Sequence, residues 1–220
     1  PCACNPEPIA DFVDIVFLGD GEESTNAVID LLKECKKNGA SKQEFLLKAK
    51  DITGVYVPSF YKDTYNDDGT LKELVPINDA PEKVKKSIVS DMNKCYYPKE
   101  FVVPFISIVH DRAVEEIFRG CIRGCRFCQA GFIYRPIREK SVETINAQSK
   151  ALIESTGYDE LSLCSLSTSD HSQVNEMLTS LIDWTVKDKI NLSLPSLRVD
   201  NFSDDLVDKL NKVRKSGLTF

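Results

Sequence analysis

A repeated order of strand and then helix, in the second half of the chain, is the feature that most constrains the fold. Three short apolar runs predict strands, and each is followed by a segment whose apolar stripe predicts a helix. The strands are predicted at residues 114–118, 160–164 and 190–194, and the helices at about residues 141–155, 172–187 and 203–215. Such units connect right-handedly into a parallel sheet, and eight of them can close into a barrel. The sequence therefore predicts an α/β fold in which residues 104–220 form strand–helix units of a parallel sheet, which can close into a TIM-type (β/α) barrel.

The first half of the chain has a less regular pattern. A β-branched run predicts a buried strand, two amphipathic segments predict helices, and an Asp-Asp-Gly turn predicts a hairpin; these elements are at residues 12–18, about 24–39 and 42–52, and 61–75. Three prolines surround a predicted amphipathic helix at about residues 82–92. We therefore expect an α/β half-domain at residues 1–60, a hairpin and linker at residues 61–103, and the barrel segment at residues 104–220.

Both ends of the sequence predict an internal piece of a longer protein. The chain begins at Pro1, and residues 217–220 have the pattern of a strand that has only begun. In such a piece we expect open sheet edges, and therefore edge-to-edge self-association between copies.

Composition excludes several classes of protein. The 220 residues carry a net charge of −6, which disfavours a nucleic-acid-binding domain held by bulk charge. No apolar run approaches the roughly 18 residues of a membrane helix, and the N-terminus lacks a signal-peptide pattern. The eight cysteines are therefore interpreted as reduced thiols or metal ligands, in a cytoplasmic protein that binds no membrane.

Three of the cysteines lie within a span of eight residues, in one glycine-rich segment that follows the first predicted strand. They are Cys121, Cys125 and Cys128, and three arginines in the same segment favour the thiolate form: Arg119, Arg123 and Arg126. Three thiolates fall short of the four ligands of a structural zinc site, whereas they suit an iron–sulfur cube with one open iron. The segment is thus a candidate iron–sulfur site.

The spacing Cys-x3-Cys-x2-Cys, with Phe127 before the last cysteine, resembles the signature of the radical S-adenosylmethionine superfamily. The resemblance implies that Cys121, Cys125 and Cys128 bind a [4Fe–4S] cluster whose open iron chelates S-adenosyl-L-methionine. It also implies reductive cleavage of this cofactor to a 5′-deoxyadenosyl radical, which abstracts hydrogen from an unknown substrate. An electron donor such as a flavodoxin or ferredoxin is then expected as a partner of this Fe–S oxidoreductase.

Longer stretches resemble an uncharacterised subfamily of these enzymes, in which a vitamin-B12-binding-like domain precedes the barrel. The stretches are residues 6–8, 56–61 and 109–138. The resemblance implies that residues 1–60 are the C-terminal part of a Rossmann-like domain and that residues 104–220 are the first half of a radical S-adenosylmethionine barrel. The sequence contains no Asp-x-His-x-x-Gly motif, so cobalamin is a possible cofactor without a residue to support it.

The resemblance also implies cofactor contacts in the loops after the second and third predicted strands. Ser165 and Ser167 are candidate contacts to the methionine amino group, although Asp170 or Ser172 in this region could instead cap the following helix. Ser196 and Arg198 are candidate contacts in the next loop, where Arg198 could equally form an ion pair with Asp170 or Asp200. Phe127 is expected to pack against adenine, with packing in the protein core as the alternative.

The other cysteines and the histidines carry simpler interpretations. Cys35 and Cys164 lie on apolar faces and are interpreted as small core residues. His110 is interpreted as a structural residue. Two other functions stay open: a methylthiotransferase-like enzyme that modifies RNA or protein, and a non-catalytic module whose cysteines bind zinc. The sequence lacks an arrangement of cysteines suited to a second cluster, and its net charge is acidic. Both observations count against the methylthiotransferase-like enzyme.

Overall fold

The computed structural model describes residues 5–106 and 108–198. The chain divides into two compact units, Pro1–Val89 and Ser90–Phe220. The helix predicted at residues 203–215 and the strand predicted from residue 217 lie outside the described residues. In the part of the chain that is described, no helix has the length and apolar character needed to cross a membrane.

The first unit contains two α-helices, two short 3-10 helices and four short strands among its described residues. Its elements are a 3-10 helix at Glu7–Phe12, β1 (Val16–Phe17), α1 (Glu22–Lys37), α2 (Lys42–Ala49), β2 (Val55–Tyr56), a 3-10 helix at Pro58–Phe60, β3 (Tyr61–Tyr65) and β4 (Leu71–Pro76). The strands pair antiparallel, β1 with β2 and β3 with β4, and the second pair is the predicted hairpin. Because the described strand pairs of this unit are antiparallel, the Rossmann-like half-domain predicted for residues 1–60 is not confirmed.

Two predicted elements of this unit are wrong. The strand predicted at residues 12–18 is reduced to two residues, since Phe12 ends a 3-10 helix and is 87% exposed. The helix predicted at residues 82–92 is absent, because the backbone there pairs with a distant segment instead of with itself: Ser87 N donates to Leu18 O, and Ser87 O accepts from Asp20 N, both at 2.8 Å. Gly19 permits this close approach, since a Cβ there would lie 2.1 Å from Ser87 O.

The second unit is built on a parallel sheet. Its elements are β5 (Ala113–Glu116), β6 (Phe118–Arg119), α3 (Ala130–Ile133), β7 (Arg138–Glu139), α4 (Val142–Thr156), β8 (Glu160–Cys164), a 3-10 helix at Thr168–Asp170, α5 (Val174–Thr185) and β9 (Asn191–Ser193). The sheet order is β5-β8-β9, with both pairs parallel, and α4 and α5 connect the successive strands. The predicted α/β class with a parallel sheet is thus confirmed.

The strand predicted at residues 114–118 is two strands in the structure. Residues 113–116 form β5 in the parallel sheet, whereas Phe118–Arg119 pair antiparallel with Arg138–Glu139. Ile117, between them, is fully buried and donates its N–H to Cys164 O at 3.0 Å. The chain therefore leaves the sheet here and begins a separate two-stranded ribbon.

One face of the parallel sheet packs against the helices and the other carries polar side chains. The apolar core contains Leu161, Leu163 and Leu192 from the sheet, with Ile145, Leu152, Met177, Leu178 and Leu181 from α4 and α5. Glu116 and Cys164 are register partners at the ends of β5 and β8. Cys164 is exposed, so its prediction as a core residue is wrong, whereas Cys35 in the first unit is buried.

Candidate cysteine-loop site

The cysteine loop, residues 120–137, connects β6 to β7. The pairing of Phe118 with Glu139 and of Arg119 with Arg138 closes its base. Gly120 has a φ of +100°, and a Cβ at that position would lie 2.7 Å from Pro136 O. Since an L side chain is excluded by both the dihedral angle and the contact, glycine is required where the two ends of the loop meet.

The three cysteines of the loop are free thiols of intermediate exposure. Cys128 N donates to Cys125 O at 3.0 Å, so a tight turn separates these two residues. Within residues 5–106 and 108–198, no group of three His, Cys, Asp or Glu side chains lies close enough together to hold a metal ion. The thiols fit a thiolate-ligated group by number and type, but their present positions are not those of a formed metal centre.

A hydroxyl-bearing loop, residues 165–170, follows β8 and is anchored to the loop that follows β9. Thr168 is fully buried, its N–H donates to Ser196 O at 3.0 Å, and its hydroxyl donates to Pro195 O at 2.9 Å. Ser165 Oγ lies 3.1 Å from Thr168 Oγ1 and is the donor there, because the threonine proton is already used. Thr168 is not among the residues predicted from the sequence, although its position among the hydroxyls of this loop was a signal.

Ser167 and Ser196 differ in their surroundings. Ser167 is buried, and its hydroxyl has no hydrogen-bond partner among the described residues. Ser196 is exposed and has a φ of +60°. A buried hydroxyl without a partner is an available donor and acceptor, so Ser167 is the better placed of the two for a polar ligand.

The capping role considered for Asp170 and Ser172 is wrong. Gln173 precedes α5 and no side chain caps that helix. Ser172 donates instead from its backbone N–H to Glu139 Oε1 at 2.9 Å, and its hydroxyl also bonds that carboxylate. Asp170 is bound by Arg123 of the cysteine loop.

Two arginines connect the cysteine loop to the loops after β8 and β9. Arg123 Nε donates to Asp170 Oδ2 at 2.9 Å, and Arg123 Nη2 donates to the other oxygen of the same carboxylate. Arg198 Nη1 lies 3.7 Å from Cys125 Sγ and donates to it. Asp200, the other partner considered for Arg198, lies outside the described residues. The structure therefore brings together the three loops that follow the three predicted strands.

Phe127 lies at the surface of the cysteine loop with its residue 94% exposed. Packing in the protein core, the alternative considered for it, is therefore wrong. The ring is an apolar surface that a planar ligand group could cover.

Charged groups next to the loop are paired. Glu116 accepts from Arg119 Nε at 2.8 Å and from Arg119 Nη2 at 2.9 Å. Although Cys164 is exposed, partial desolvation of its thiol by neighbouring atoms, and to a smaller extent the negative charge of Glu116, raise the pKa of this thiol above its ordinary value. Cys164 therefore favours the thiol form and is not an activated nucleophile.

A fully buried ion pair lies at the base of the cysteine loop, next to the end of β7. Lys140, directly after β7, donates from Nζ to Glu115 Oε1 at 2.8 Å and to Gln148 Oε1 at 2.7 Å. Burial raises the pKa of the Glu115 carboxyl to about 7, against the opposing effect of the Lys140 charge. This pair joins the first strand of the sheet to the end of the two-stranded ribbon.

Both histidines accept a hydrogen bond at Nδ1. His171 is buried, accepts from Gln173 N at 3.1 Å, and therefore donates from Nε2 to Lys140 O, also at 3.1 Å. His110 accepts from Arg112 Nη2 at 2.7 Å. The contacts of buried His171 join separate segments of the fold, whereas His110 is exposed and its contact is local, so its structural role stays a prediction.

Comparison with known proteins adds to this geometry. Residues 1–58 match the family model described as the N-terminal part of radical SAM proteins. An uncharacterised protein of Methanocaldococcus jannaschii is 27% identical over 212 residues, which are 94% of this chain and 38% of that protein. The chain thus spans well under half the length of this curated relative.

A solved structure has a related fold. It is the cobalamin-dependent S-adenosylmethionine radical enzyme OxsB with aqua-cobalamin and S-adenosylmethionine bound, with a TM-score of 0.50 and 15% identity over 94% of this chain and 27% of that one. At this identity the likeness concerns the fold alone. The N-terminal match to radical SAM proteins and the likeness in fold both agree with the resemblance found at the cysteine loop.

Proposed function

We propose that the chain carries the cluster-binding segment of a radical S-adenosylmethionine enzyme, with Cys121, Cys125 and Cys128 as the protein ligands of one [4Fe–4S] cluster. When bound, such a cluster supplies an electron that cleaves S-adenosylmethionine to a 5′-deoxyadenosyl radical. The observation that carries the proposal is the linkage of the three-thiol loop to the loops after β8 and β9. In parallel α/β folds these strand ends are where ligands bind.

The side chains around the thiols have separate tasks in this proposal. Ser165 and the unpartnered hydroxyl of Ser167 accept hydrogen bonds from the cofactor's ammonium group. Ser196 contacts the cofactor at the mouth of the site, and Arg198 supplies a positive charge that attracts its carboxylate. The exposed ring of Phe127 covers the adenine and excludes water from that side.

The wider assignments are part of the same proposal. The three parallel strands are the beginning of a TIM-type barrel, and residues 1–60 are a piece of a B12-binding-like domain, for which the fold of OxsB is the support. No residue of this sequence is assigned to cobalt, since it lacks an Asp-x-His-x-x-Gly motif. The six described cysteines are free thiols, as expected in the cytoplasm, where a flavodoxin or ferredoxin could supply the electron.

Iron binding by the three cysteines tests the proposal. The protein is reconstituted anaerobically with iron and sulfide, and both are counted in the wild type and in the Cys125→Ala variant. We expect about four irons per chain in the wild type and a large loss in the variant, because only two protein thiolates are left to hold the cluster. Cys164→Ser, which alters an exposed cysteine outside the loop, is the matched control and should keep its iron. Full iron content in Cys125→Ala would contradict the assignment, and bound zinc without iron would favour the non-catalytic module.

A further inference from the structure

A charge pair holds the cysteine loop independently of the three thiols. Arg123 lies between Cys121 and Cys125, and it binds both oxygens of the Asp170 carboxylate. The side chain of Asp170 is only 4% exposed, and that of Arg123 is 33% exposed. A buried carboxylate requires a partner, and a two-point contact fixes both the position and the orientation of the guanidinium group.

The loop that carries Asp170 is itself well anchored. Asp170 N donates to Ser167 O at 2.9 Å, so the carboxylate projects from a closed turn. Thr168, two residues earlier, is held by Pro195 O and Ser196 O. Arg123 therefore binds to a fixed platform, whereas the cysteine loop between β6 and β7 is long and contains a single short helix, α3.

We propose that the Arg123–Asp170 pair positions the cysteine loop before any metal binds, so that the loop is already held over the strand ends when the metal arrives. Arg123 and Asp170 are then positioning residues rather than ligands. A loop that is held in advance loses less conformational freedom on binding, which strengthens binding without a new contact to the ligand. The proposal rests on the proposed function for the nature of the metal, but not for the position of the loop.

The position of the loop can be measured in metal-free protein. Phe127 is exposed, so chymotrypsin can cleave after it when the loop opens, and mass spectrometry identifies that cut. We expect Arg123→Gln to raise the rate of this cleavage about tenfold, because opening no longer separates a buried charge pair. Arg126→Gln is the matched control, since it removes the same charge from an exposed position of the same loop. Equal rates in the two variants would overturn the proposal.

A second pair of variants separates positioning from a general loss of stability. Arg123→Gln removes the guanidinium that binds both oxygens of the buried Asp170 carboxylate, whereas Arg123→Gln combined with Asp170→Asn removes both charges. We expect the double variant to unfold like the wild type in urea while its loop is still cleaved rapidly. Arg123→Lys should give an intermediate rate, because an ammonium group keeps the charge but loses the two-point contact. A wild-type cleavage rate in the double variant would overturn the proposal.

Iron retention supplies the final measurement. After anaerobic reconstitution, we expect Arg123→Gln to lose iron to a chelator about tenfold faster than the wild type or Arg126→Gln, since its loop opens more often. If the wild type takes up no iron, the proposed function fails, while the cleavage experiment still tests the position of the loop. If the wild type and Arg123→Gln retain iron equally well, the positioning role fails and the proposed function stands.

Discussion

The two units bury different kinds of side chain. In the first unit the described core is apolar, with Val28, Leu46 and Phe60 among its members, and the buried polar residues there are two serines, Ser24 and Ser87. The core region of the second unit contains a charged pair, Glu115 and Lys140, with residue exposures of 0% and 5%. The unit with the cysteine loop is therefore the one that includes ions in its interior.

Such a pair is weak evidence for stability, because desolvation of two ions offsets most of their attraction. Its position is more informative. Glu115 belongs to β5, and Lys140 follows β7, while the backbone N–H of Lys140 donates to Ile117 O at 3.0 Å. The pair thus fixes the base of the cysteine loop to the sheet. Two apolar side chains at these positions could also hold the loop, but without the directional hydrogen bond of the ion pair.

The largest effect is expected when one member of the pair is removed. Lys140→Met leaves the Glu115 carboxylate buried without its cation and should cost about 3–5 kcal/mol of unfolding free energy. Hydrogen exchange should then increase in α4 and β8 but not in α1 and α2 of the first unit. Mass spectrometry of exchanged peptides, at a urea concentration below the unfolding transition, measures both units in one sample.

The matched control for this variant removes both charges. Lys140→Met combined with Glu115→Leu should recover most of the lost stability, because no ion is then left unpaired in the core. If Lys140→Met reduced hydrogen-exchange protection equally in both units, the effect would not be specific to the unit with the charged interior.

The pH dependence of stability gives a smaller effect. Burial raises the pKa of Glu115 to about 7 from a value of 4.5. Between these two values the unfolded chain releases the Glu115 proton before the folded protein does, so stability falls as pH rises through this window. We expect a loss of roughly 1–3 kcal/mol from this group between pH 4.5 and 7.

Urea unfolding at several pH values, compared between the wild type and Glu115→Gln, isolates this contribution. The variant lacks the titrating carboxyl, so its stability should depend less steeply on pH in that window. Parallel pH profiles for the two proteins would show that Glu115 titrates alike in the folded and unfolded states. The first unit has no comparable buried carboxylate among its described residues.

The sequence predicted the second unit better than the first because periodic patterns report local structure. The strand at Glu160–Cys164 matches its prediction, and α4 and α5 lie within two residues of theirs. Residues 82–92 have a helical pattern, but their backbone is used by a partner far away in sequence. Such long-range pairing leaves no periodic signal.

The site shows the same limit. The three cysteines and the hydroxyl-bearing loop were visible as motifs, since spacing and residue type are properties of the sequence. The partners of the charged groups were not, because the sequence offered Asp170 both a helix cap and an ion pair with Arg198 and gave no sign of Arg123. Only the fold shows that Asp170 binds Arg123, 47 residues away. The hydroxyl of Thr168 was visible in its loop, but its partners Pro195 and Ser196 in another loop were not.

The smallest expected effect concerns the capping box at the start of α2 in the first unit, whose hydrogen bonds join residues only three positions apart. Ser41 accepts a hydrogen bond from Glu44 N at 3.3 Å, and Glu44 accepts from Ser41 N at 2.7 Å, which forms a capping box. Ser41→Ala removes one half of this box and should cost about 1 kcal/mol. The hydrogen bonds from Ser41 also hold the pKa of Glu44 below its ordinary value, so the Ser41 variant should raise that pKa, which carbon-detected NMR can follow. If Ser41→Ala also decreased hydrogen-exchange protection in the second unit, the two units would not be independent in stability. The comparison between an apolar and a charged interior would then have to be made on separated units.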